Sequence, residues 1–268
     1  MSALVVLGSG SKGNCVAMCA EGEVLLIDAG FSAREIERRA EAAAVDLGRV
    51  SGIVITHEHG DHSCGAARLA RRLRAPILAT YGTWERLRPR LPDATHVPLA
   101  LSAPLRVGPF EIEACRTSHD AAEPVAVAVR CGSGRIGVAY DLGRPTAAVR
   151  YLLRDLAALV LEANHDDVLL RTSDYPPAVR RRIMGSGGHL SNRAAAELAR
   201  ELVHPGLAHV VLAHLSERCN TAAEARGAVE PALRAAGFRG ELHVALQDAP
   251  LRIRLERAAA PRAVGAAP

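Results

Sequence analysis

Three histidines and an aspartate lie within six residues, in the stretch Thr56-His57-Glu58-His59-Gly60-Asp61-His62. The apolar, β-branched residues 51–55 before it predict a buried strand, and residues 64–73 after it predict a helix. In α/β proteins, binding groups collect at the carboxyl ends of strands. Imidazole and carboxylate are ligand types that suit zinc, iron and manganese. The stretch therefore predicts a metal site rather than an incidental polar loop.

The spacing within this stretch predicts ligands for two neighbouring ions. His57 and His59 point to the same side of an extended chain, because side chains alternate with a period of two residues. They can therefore bind one ion. Gly60 is expected to allow a sharp turn, which places Asp61 and His62 at a second position.

Polar residues follow several other predicted strands and are candidates to complete both positions. His119 is the expected third ligand of the first ion, and His214 is expected to complete the second. Asp141 is expected to bridge the two ions, because a carboxylate has two oxygens. Asp28 is expected to orient the histidine loop by hydrogen bonding. Mixed His/Asp ligation with room for water is the open geometry of a catalytic metal pair.

Both halves of the chain alternate strands with helices, for which Ser32, Ser191 and Thr221 are the expected N-caps. This pattern predicts a mixed α/β fold, a four-layer αββα sandwich of two mixed β-sheets flanked by helices. The chain has 268 residues. We expect one domain over residues 1–257 and a disordered Ala/Pro-rich tail over residues 258–268.

Composition limits the location and the partners. No apolar run approaches the roughly 18 residues of a membrane span, so no membrane association is expected. The six cysteines have no CxxC pair, and together with the lack of a signal peptide they predict reduced thiols in the cytoplasm. The net charge of +4 permits a phosphate-rich partner without requiring one. Arginines on helices more often face solvent than contact a nucleic-acid backbone. We apply this expectation to the arginines at 71, 72, 74 and 180–182.

The motif His-x-His-x-Asp-His at residues 57–62, followed in order by His119, Asp141 and His214, resembles the metallo-β-lactamase superfamily of hydrolases. That resemblance implies the sandwich fold and two divalent metal ions, zinc or manganese. Five further segments resemble the YycJ/WalJ-like branch, whose members are regarded as DNA exonucleases. These segments are residues 8–14, 118–121, 162–166, 188–192 and 213–216.

The chain is also similar to tRNase Z enzymes. Glu162 and His189 match a Glu–His pair that lies near the scissile phosphate in that family. The match implies phosphodiester chemistry. In such a site we expect His189, held by Glu162, to act as general acid and Asp61 to orient or deprotonate the attacking water. Leu161 stands where that family has a further histidine. His165 has no counterpart and is expected to be a surface histidine or to support a ligand.

The glycine/serine loop of residues 8–14 allows two interpretations. Backbone N–H groups of such loops can bind phosphate, but an ordinary hairpin turn has the same composition. We take Ser11 and Asn14 in this loop, and Ser216 after the last predicted ligand, as candidate substrate contacts.

These features together predict a dinuclear metal-dependent phosphodiesterase that acts as a DNA exonuclease. One alternative is a hydrolase of a small thioester, lactone or cyclic phosphodiester, and the pair Glu162 and His189 argues against it. Another is a metal-bearing nucleic-acid-binding protein without turnover, which the complete ligand set disfavours. The chain between residues 141 and 214 is too short for the cap domain of RNase J-type and Artemis-type nucleases. It also lacks a long excursion like the tRNA-binding arm of tRNase Z.

Overall fold

The computed structural model describes residues 2–101, 103–132 and 134–255, and in them two β-sheets pack face to face. The strands in chain order are β1 (Ser2–Gly8), β2 (Cys15–Ala20), β3 (Glu23–Ile27), β4 (Val50–Val54), β5 (Ile77–Ala79), β6 (His96–Pro98), β7 (Leu105–Val107), β8 (Phe110–Arg116), β9 (Val125–Cys131), β10 (Gly134–Ala139), β11 (Ala158–Glu162), β12 (His209–Ala213), β13 (Glu241–Val244) and β14 (Leu251–Leu255).

The helices cover the outer faces of the two sheets. They are α1 (Ala33–Ala42), α2 (Gly60–Ser63), α3 (Ala66–Leu73), α4 (Tyr81–Leu87), α5 (Ala147–Leu152), α6 (Asp167–Thr172), α7 (Pro177–Met184), α8 (Asn192–Glu201) and α9 (Ala222–Ala235). Short 3-10 turns occupy Leu47–Arg49 and Arg88–Arg90. None of the helices in the described ranges is long and apolar enough to span a bilayer.

The two sheets have matching strand orders. The first runs β14-β1-β2-β3-β4-β5-β6 and the second runs β13-β12-β11-β10-β9-β8-β7. In the first sheet β3 to β6 are parallel, and in the second β10 to β13 are parallel. The other pairings are antiparallel. This arrangement confirms the predicted αββα sandwich of two mixed sheets.

Apolar side chains form three layers, because each sheet is buried on both faces. The central layer lies between the sheets and includes Val6, Ile27 and Val138. A second layer packs the helices α5, α8 and α9 on the second sheet. A third packs α1 and α3 on the first sheet. Burying both faces leaves the strand ends as the places where polar side chains can gather.

The three predicted N-caps are confirmed. The hydroxyl of Ser32 accepts a hydrogen bond from the backbone N–H three residues later, and so do those of Ser191 and Thr221. Each bond satisfies one of the backbone donors that a helix leaves unpaired at its first turn. The caps therefore set where α1, α8 and α9 begin.

Two details differ from the sequence prediction. The predicted helix over residues 64–73 begins at Ala66, as α3, and a separate short helix, α2 over Gly60–Ser63, precedes it and carries Asp61 and His62. A Cβ added to Gly60 would meet no atom within 4 Å, so the bend does not require glycine there. Helix α6 was not predicted, and it begins because the Asp166 carboxylate accepts two backbone N–H groups. The predicted tail, residues 258–268, lies outside the described residues.

Candidate metal centre

His57, His59 and His119 form a group of three converging imidazoles. Nε2 of His57 lies 3.1 Å from Nδ1 of His59, and Nε2 of His119 lies 3.2 Å from that same atom. Ligand nitrogens at 2.0–2.1 Å from a tetrahedral ion are about 3.3 Å apart. The separations therefore fit three ligands of one ion, as the sequence predicted for this trio.

A second group contains Asp61, His62 and His214. Oδ2 of Asp61 lies 3.3 Å from Nε2 of His62 and 3.3 Å from Nε2 of His214. Both imidazoles are buried, at 0 % and 2 % exposure. Burial raises the pKa of Asp61, but hydrogen bonds to His214 and His62 outweigh it and hold that pKa below its usual range. The group therefore presents a charged oxygen and two nitrogens to a second position.

The carboxylate of Asp141 lies between the two groups. Its Oδ2 is 3.0 Å from Nε2 of His62 and 3.7 Å from Nε2 of His57. Oδ2 is buried and makes no hydrogen bond, although an unsatisfied buried charge costs free energy. Divalent cations bound by these side chains would provide a partner for that oxygen. The seven predicted ligands are thus brought together, and their binding of metal stays a prediction.

Three residues of the site adopt left-handed backbone conformations where strands end. Asp28 has φ +61°, Asp141 has φ +53° and His214 has φ +57°. Residues other than glycine rarely adopt such angles, and they tend to do so at functional sites. Asp28 and His214 directly follow β3 and β12, and Asp141 comes two residues after β10. The reversal of the backbone at these points turns the side chains into the space above the strand ends.

Asp28 supports residues 56–62 but does not reach the position where the histidine nitrogens of the first two groups converge. Its Oδ1 accepts the backbone N–H of Thr56 at 2.8 Å, and its Oδ2 lies 2.7 Å from Nδ1 of His62. A carboxylate on one ring nitrogen fixes the imidazole so that the other nitrogen is free to bind metal. The predicted orienting role of Asp28 is confirmed by these contacts.

Glu162 connects His189 to His214. Its Oε1 lies 2.8 Å from Nδ1 of His189 and 3.0 Å from Nδ1 of His214. Its Oε2 accepts the backbone N–H groups of Leu142 and Leu190 at 2.7 and 3.0 Å. Burial raises the pKa of Glu162, but the charge of His189 and the hydrogen bonds of both histidines lower it to about 2. The carboxylate is therefore ionised near neutral pH.

His189 is the part of this group that solvent can reach, with 21 % of its side chain exposed. Its Nδ1 also lies 3.0 Å from Oδ1 of Asp141. Burial lowers the pKa of His189, but the charge of Glu162 and hydrogen bonds to Asp141 and Glu162 outweigh it and raise the pKa to about 11. A protonated imidazole beside the converging ligands can donate a proton.

The loop that carries His189 is held against the first group of ligands. Nδ1 of His119 lies 3.0 Å from the carbonyl oxygen of Gly188. Asp120 donates its backbone N–H to Gly187 and accepts a hydrogen bond of 2.7 Å from Nε of Arg182. The Asp120–Arg182 pair was not predicted from the sequence. Its available signal was the position of Asp120 directly after a predicted ligand.

Asn14, taken from the sequence as a substrate contact, is buried beside the histidine stretch, and its contact with substrate stays a prediction. Asn14 is 0 % exposed, and its Oδ1 accepts from the hydroxyl of Ser9 and the N–H of Gly10. Its backbone N–H donates to the carbonyl of Asp61 at 2.8 Å. A side chain with these hydrogen bonds supports residues 56–62 and is not exposed to solvent.

The other two substrate contacts stay predictions. Ser11 is exposed on its loop. The hydroxyl of Ser216 is half-buried and accepts the N–H of Cys219 at 3.2 Å. That bond closes a turn beside His214, and it leaves the donor capacity of the hydroxyl available.

His165 differs from the expectation of a surface histidine. It is 2 % exposed, and its Nδ1 has no hydrogen-bond partner. Its backbone carbonyl accepts the N–H of Asn192 at 2.8 Å. Desolvation lowers the pKa of the ring. His165 is therefore a buried residue that pairs the Glu162 segment with the start of α8.

The predicted arginine clusters have differing surroundings. Arg182 pairs with Asp120 beside the site, and Arg180 donates to the carbonyl of Arg171 at 2.6 Å. Arg72 pairs with Glu37 at 3.0 Å. Contact of either cluster with a nucleic-acid backbone stays a prediction.

Comparison with known proteins fits this geometry. Residues 24–215 match the family described as the Beta-lactamase superfamily domain. The chain belongs to the metallo-β-lactamase superfamily. It is therefore a hydrolase, and its relatives within the superfamily include proteins named as an exonuclease and a ribonuclease. The site occupies the strand ends where the superfamily motif placed it in the sequence.

Two curated relatives and one solved structure illustrate the relationship. The chain is 34 % identical to Exodeoxyribonuclease YycJ of Bacillus anthracis, over 87 % of this chain and 89 % of the relative. It is 32 % identical to Ribonuclease Z of Streptomyces coelicolor, over 90 % and 94 %. The metallo-β-lactamase fold protein YhfI from Bacillus subtilis superposes with a TM-score of 0.72 at 19 % identity, over 94 % and 98 %. The resemblance to the YycJ/WalJ-like branch is confirmed.

Proposed function

We propose that this metallo-β-lactamase superfamily enzyme is a phosphodiesterase that degrades DNA as an exonuclease. The observation that carries the proposal is the contact of Nδ1 of His189 with Glu162 at 2.8 Å and with Asp141 at 3.0 Å. It provides a proton donor directly beside the converging metal ligands. Hydrolysis of a phosphodiester needs such a donor, because the leaving oxygen is a poor leaving group until it is protonated.

The proposed cofactor is a pair of divalent ions, zinc or manganese. His57, His59 and His119 would hold one of them, and Asp61 and His214 would help to hold the other. His62 would complete the second position, and Asp141 would be shared. Bound there, the ions would supply a water of lowered pKa and neutralise charge on the phosphate.

The residues of the chain have separate tasks in the proposed reaction. The Asp61 carboxylate orients the attacking water and accepts the proton that it loses, while the water oxygen forms a bond to phosphorus and the bond to the leaving oxygen breaks. His189 transfers a proton to that leaving oxygen. Glu162 keeps the His189 ring in place and stabilises its protonated form, and it holds His214 by the same oxygen.

DNA is the proposed substrate because the relative named an exodeoxyribonuclease is 34 % identical over most of both chains. Ribonuclease Z of Streptomyces coelicolor is named for activity on RNA, and both activities cleave phosphodiesters. Hydrolysis of a small thioester or lactone has a weaker basis, since those leaving groups depend less on an acid at the position of His189. The absence of a CxxC pair among the six cysteines supports the expectation that the enzyme works in the cytoplasm.

The test is a substrate panel under matched conditions. Purified protein is supplied with zinc or manganese and given end-labelled single- and double-stranded DNA, the same strands as RNA, and a small thioester and lactone. We expect release of mononucleotides from DNA ends. Cleavage of RNA alone would replace DNA by RNA as substrate, and hydrolysis of the thioester or lactone without any nuclease activity would refute phosphodiester chemistry.

A further inference from the structure

A second group of metal-ligand side chains lies away from the catalytic centre. Nε2 of His243 lies 3.5 Å from Nδ1 of His209 and 3.4 Å from Oε2 of Glu241. The three ligand atoms all lie within 4.8 Å of one another. Ligand atoms on a tetrahedral zinc ion are about 3.3 Å apart, so the three side chains have nearly the spacing that one ion requires.

The β-sheet brings these residues together. Strands β12 and β13 are parallel neighbours, and His209 is in register with Glu241 while Val211 is in register with His243. Side chains two residues apart on a strand point to the same face, so Glu241 and His243 share a face with His209. The grouping therefore follows from strand register and does not depend on a flexible loop.

The group lies at the opposite end of β12 from the catalytic centre. His209 begins that strand and His214 follows it, which places their backbones about 16 Å apart at roughly 3.3 Å per residue. Val211 points into the layer between the sheets, so His209 is on the same side. Because β13 is the last strand of its sheet, the group lies at an open edge of the sandwich.

The side chains of Glu241 and His243 are accessible to solvent. The Glu241 side chain is 71 % exposed and that of His243 is 21 % exposed. Among the residues that the structure describes, Glu241 makes no ion pair with an arginine or lysine, so its charge stays available to a cation.

We propose that His209, Glu241 and His243 form a second metal site, which takes a zinc-like divalent transition ion and connects β13 to β12. Two imidazoles and a carboxylate suit zinc and its neighbours in the first transition row. Water completes the coordination on the exposed side. An ion that binds only the folded sheet stabilises it by mass action, so the site strengthens the attachment of the edge strand without touching the reaction.

The experiment counts zinc in the full-length protein. Wild-type protein and the variants His209→Asn, His243→Asn and Glu241→Gln are dialysed against the same zinc buffer, and bound metal and protein are measured by elemental analysis. His204→Asn and Glu224→Gln are the controls, as a half-buried histidine and an exposed glutamate outside the group. We expect each site variant to bind one zinc ion fewer per chain than wild type. Both controls should keep the wild-type number.

Thermal melts give a second readout that does not depend on catalysis. Zinc should raise the melting temperature of wild type more than that of His243→Asn. Equal zinc counts in wild type and all three site variants would overturn the proposal. So would an equal loss of zinc in the two controls, because it would mean that zinc binds surface side chains without selectivity.

Discussion

Oε1 of Glu162 lies 2.8 Å from Nδ1 of His189. The same oxygen lies 3.0 Å from Nδ1 of His214, so one buried carboxylate supports both the proposed general acid and a proposed metal ligand. Because the carboxylate is shared, proton donation and metal binding can be altered separately only by substituting His189 or His214, and not by substituting Glu162. This sharing also determines which substitutions distinguish proton transfer from metal binding.

The substitution His189→Ala should slow DNA hydrolysis by about 10²–10⁴-fold, the usual contribution of general acid catalysis. Metal content should stay at the wild-type level, because the ring is not one of the seven proposed ligands. A phosphodiester with a nitrophenolate leaving group is the control substrate, since it needs little protonation and should lose much less. An equal loss on both substrates would exclude His189 as the general acid, and loss of metal would make it a ligand.

Glu162→Gln should reduce turnover by about 10–100-fold, the typical effect of removing a group that supports a metal ligand. The amide keeps the shape of the side chain but removes the negative charge beside His189 and His214. The pKa of His189 should fall when that charge is lost, which NMR titration of the ring can follow. Glu224→Gln changes an exposed glutamate in the same way and should leave both readouts unchanged. Retention of full activity by Glu162→Gln would contradict the account.

Asp141→Ala should weaken binding at both proposed metal positions. Loss of a shared ligand should lower affinity by more than the roughly 10–100-fold that supporting residues typically cost. Elemental analysis after dialysis gives the metal content, and circular dichroism checks the fold. Full retention of metal by a folded Asp141→Ala protein would show that the carboxylate is not shared.

Gly30→Ala should destabilise the fold, because the added Cβ would lie 1.7 Å from the carbonyl oxygen of Asp61. Forcing atoms into a packed region typically costs about 1–3 kcal/mol, and the crowded backbone here is part of the metal loop. Gly227→Ala in α9 is the matched control, since its Cβ would meet no atom within 4 Å. It should raise stability by about 0.5–1 kcal/mol. Urea unfolding measures both, and equal stability of the two variants would contradict the packing argument.

The proposed metal ligands and Glu162 could be identified from the sequence because the signals for them are local. His57, His59, Asp61 and His62 are adjacent in the chain, and the residues at 119, 141, 162 and 214 each follow or end a strand with a clear apolar pattern. The alternation of strands and helices then required these strand ends to meet at shared edges. Spacing and strand order together were enough to predict the fold and the residues that the structure brings together.

What the sequence did not predict depends on contacts between distant segments. Asn14 resembles an exposed loop residue until the backbone of Asp61, 47 positions away, packs against it. His209 and His243 are 34 positions apart, and only the register of β12 and β13 makes them neighbours. No propensity predicts a left-handed histidine at 214, because the surrounding structure imposes that conformation.

Metal-dependent cleavage of DNA from its ends can be tested in a single titration. Protein stripped of metal by a chelator is titrated with manganese or zinc while the release of mononucleotides from end-labelled DNA is followed. The account predicts no release before metal is added, release that rises to a plateau as the ions bind, and almost none from Asp141→Ala at the same metal concentration. Release from the stripped protein, or equal release from Asp141→Ala, would contradict it.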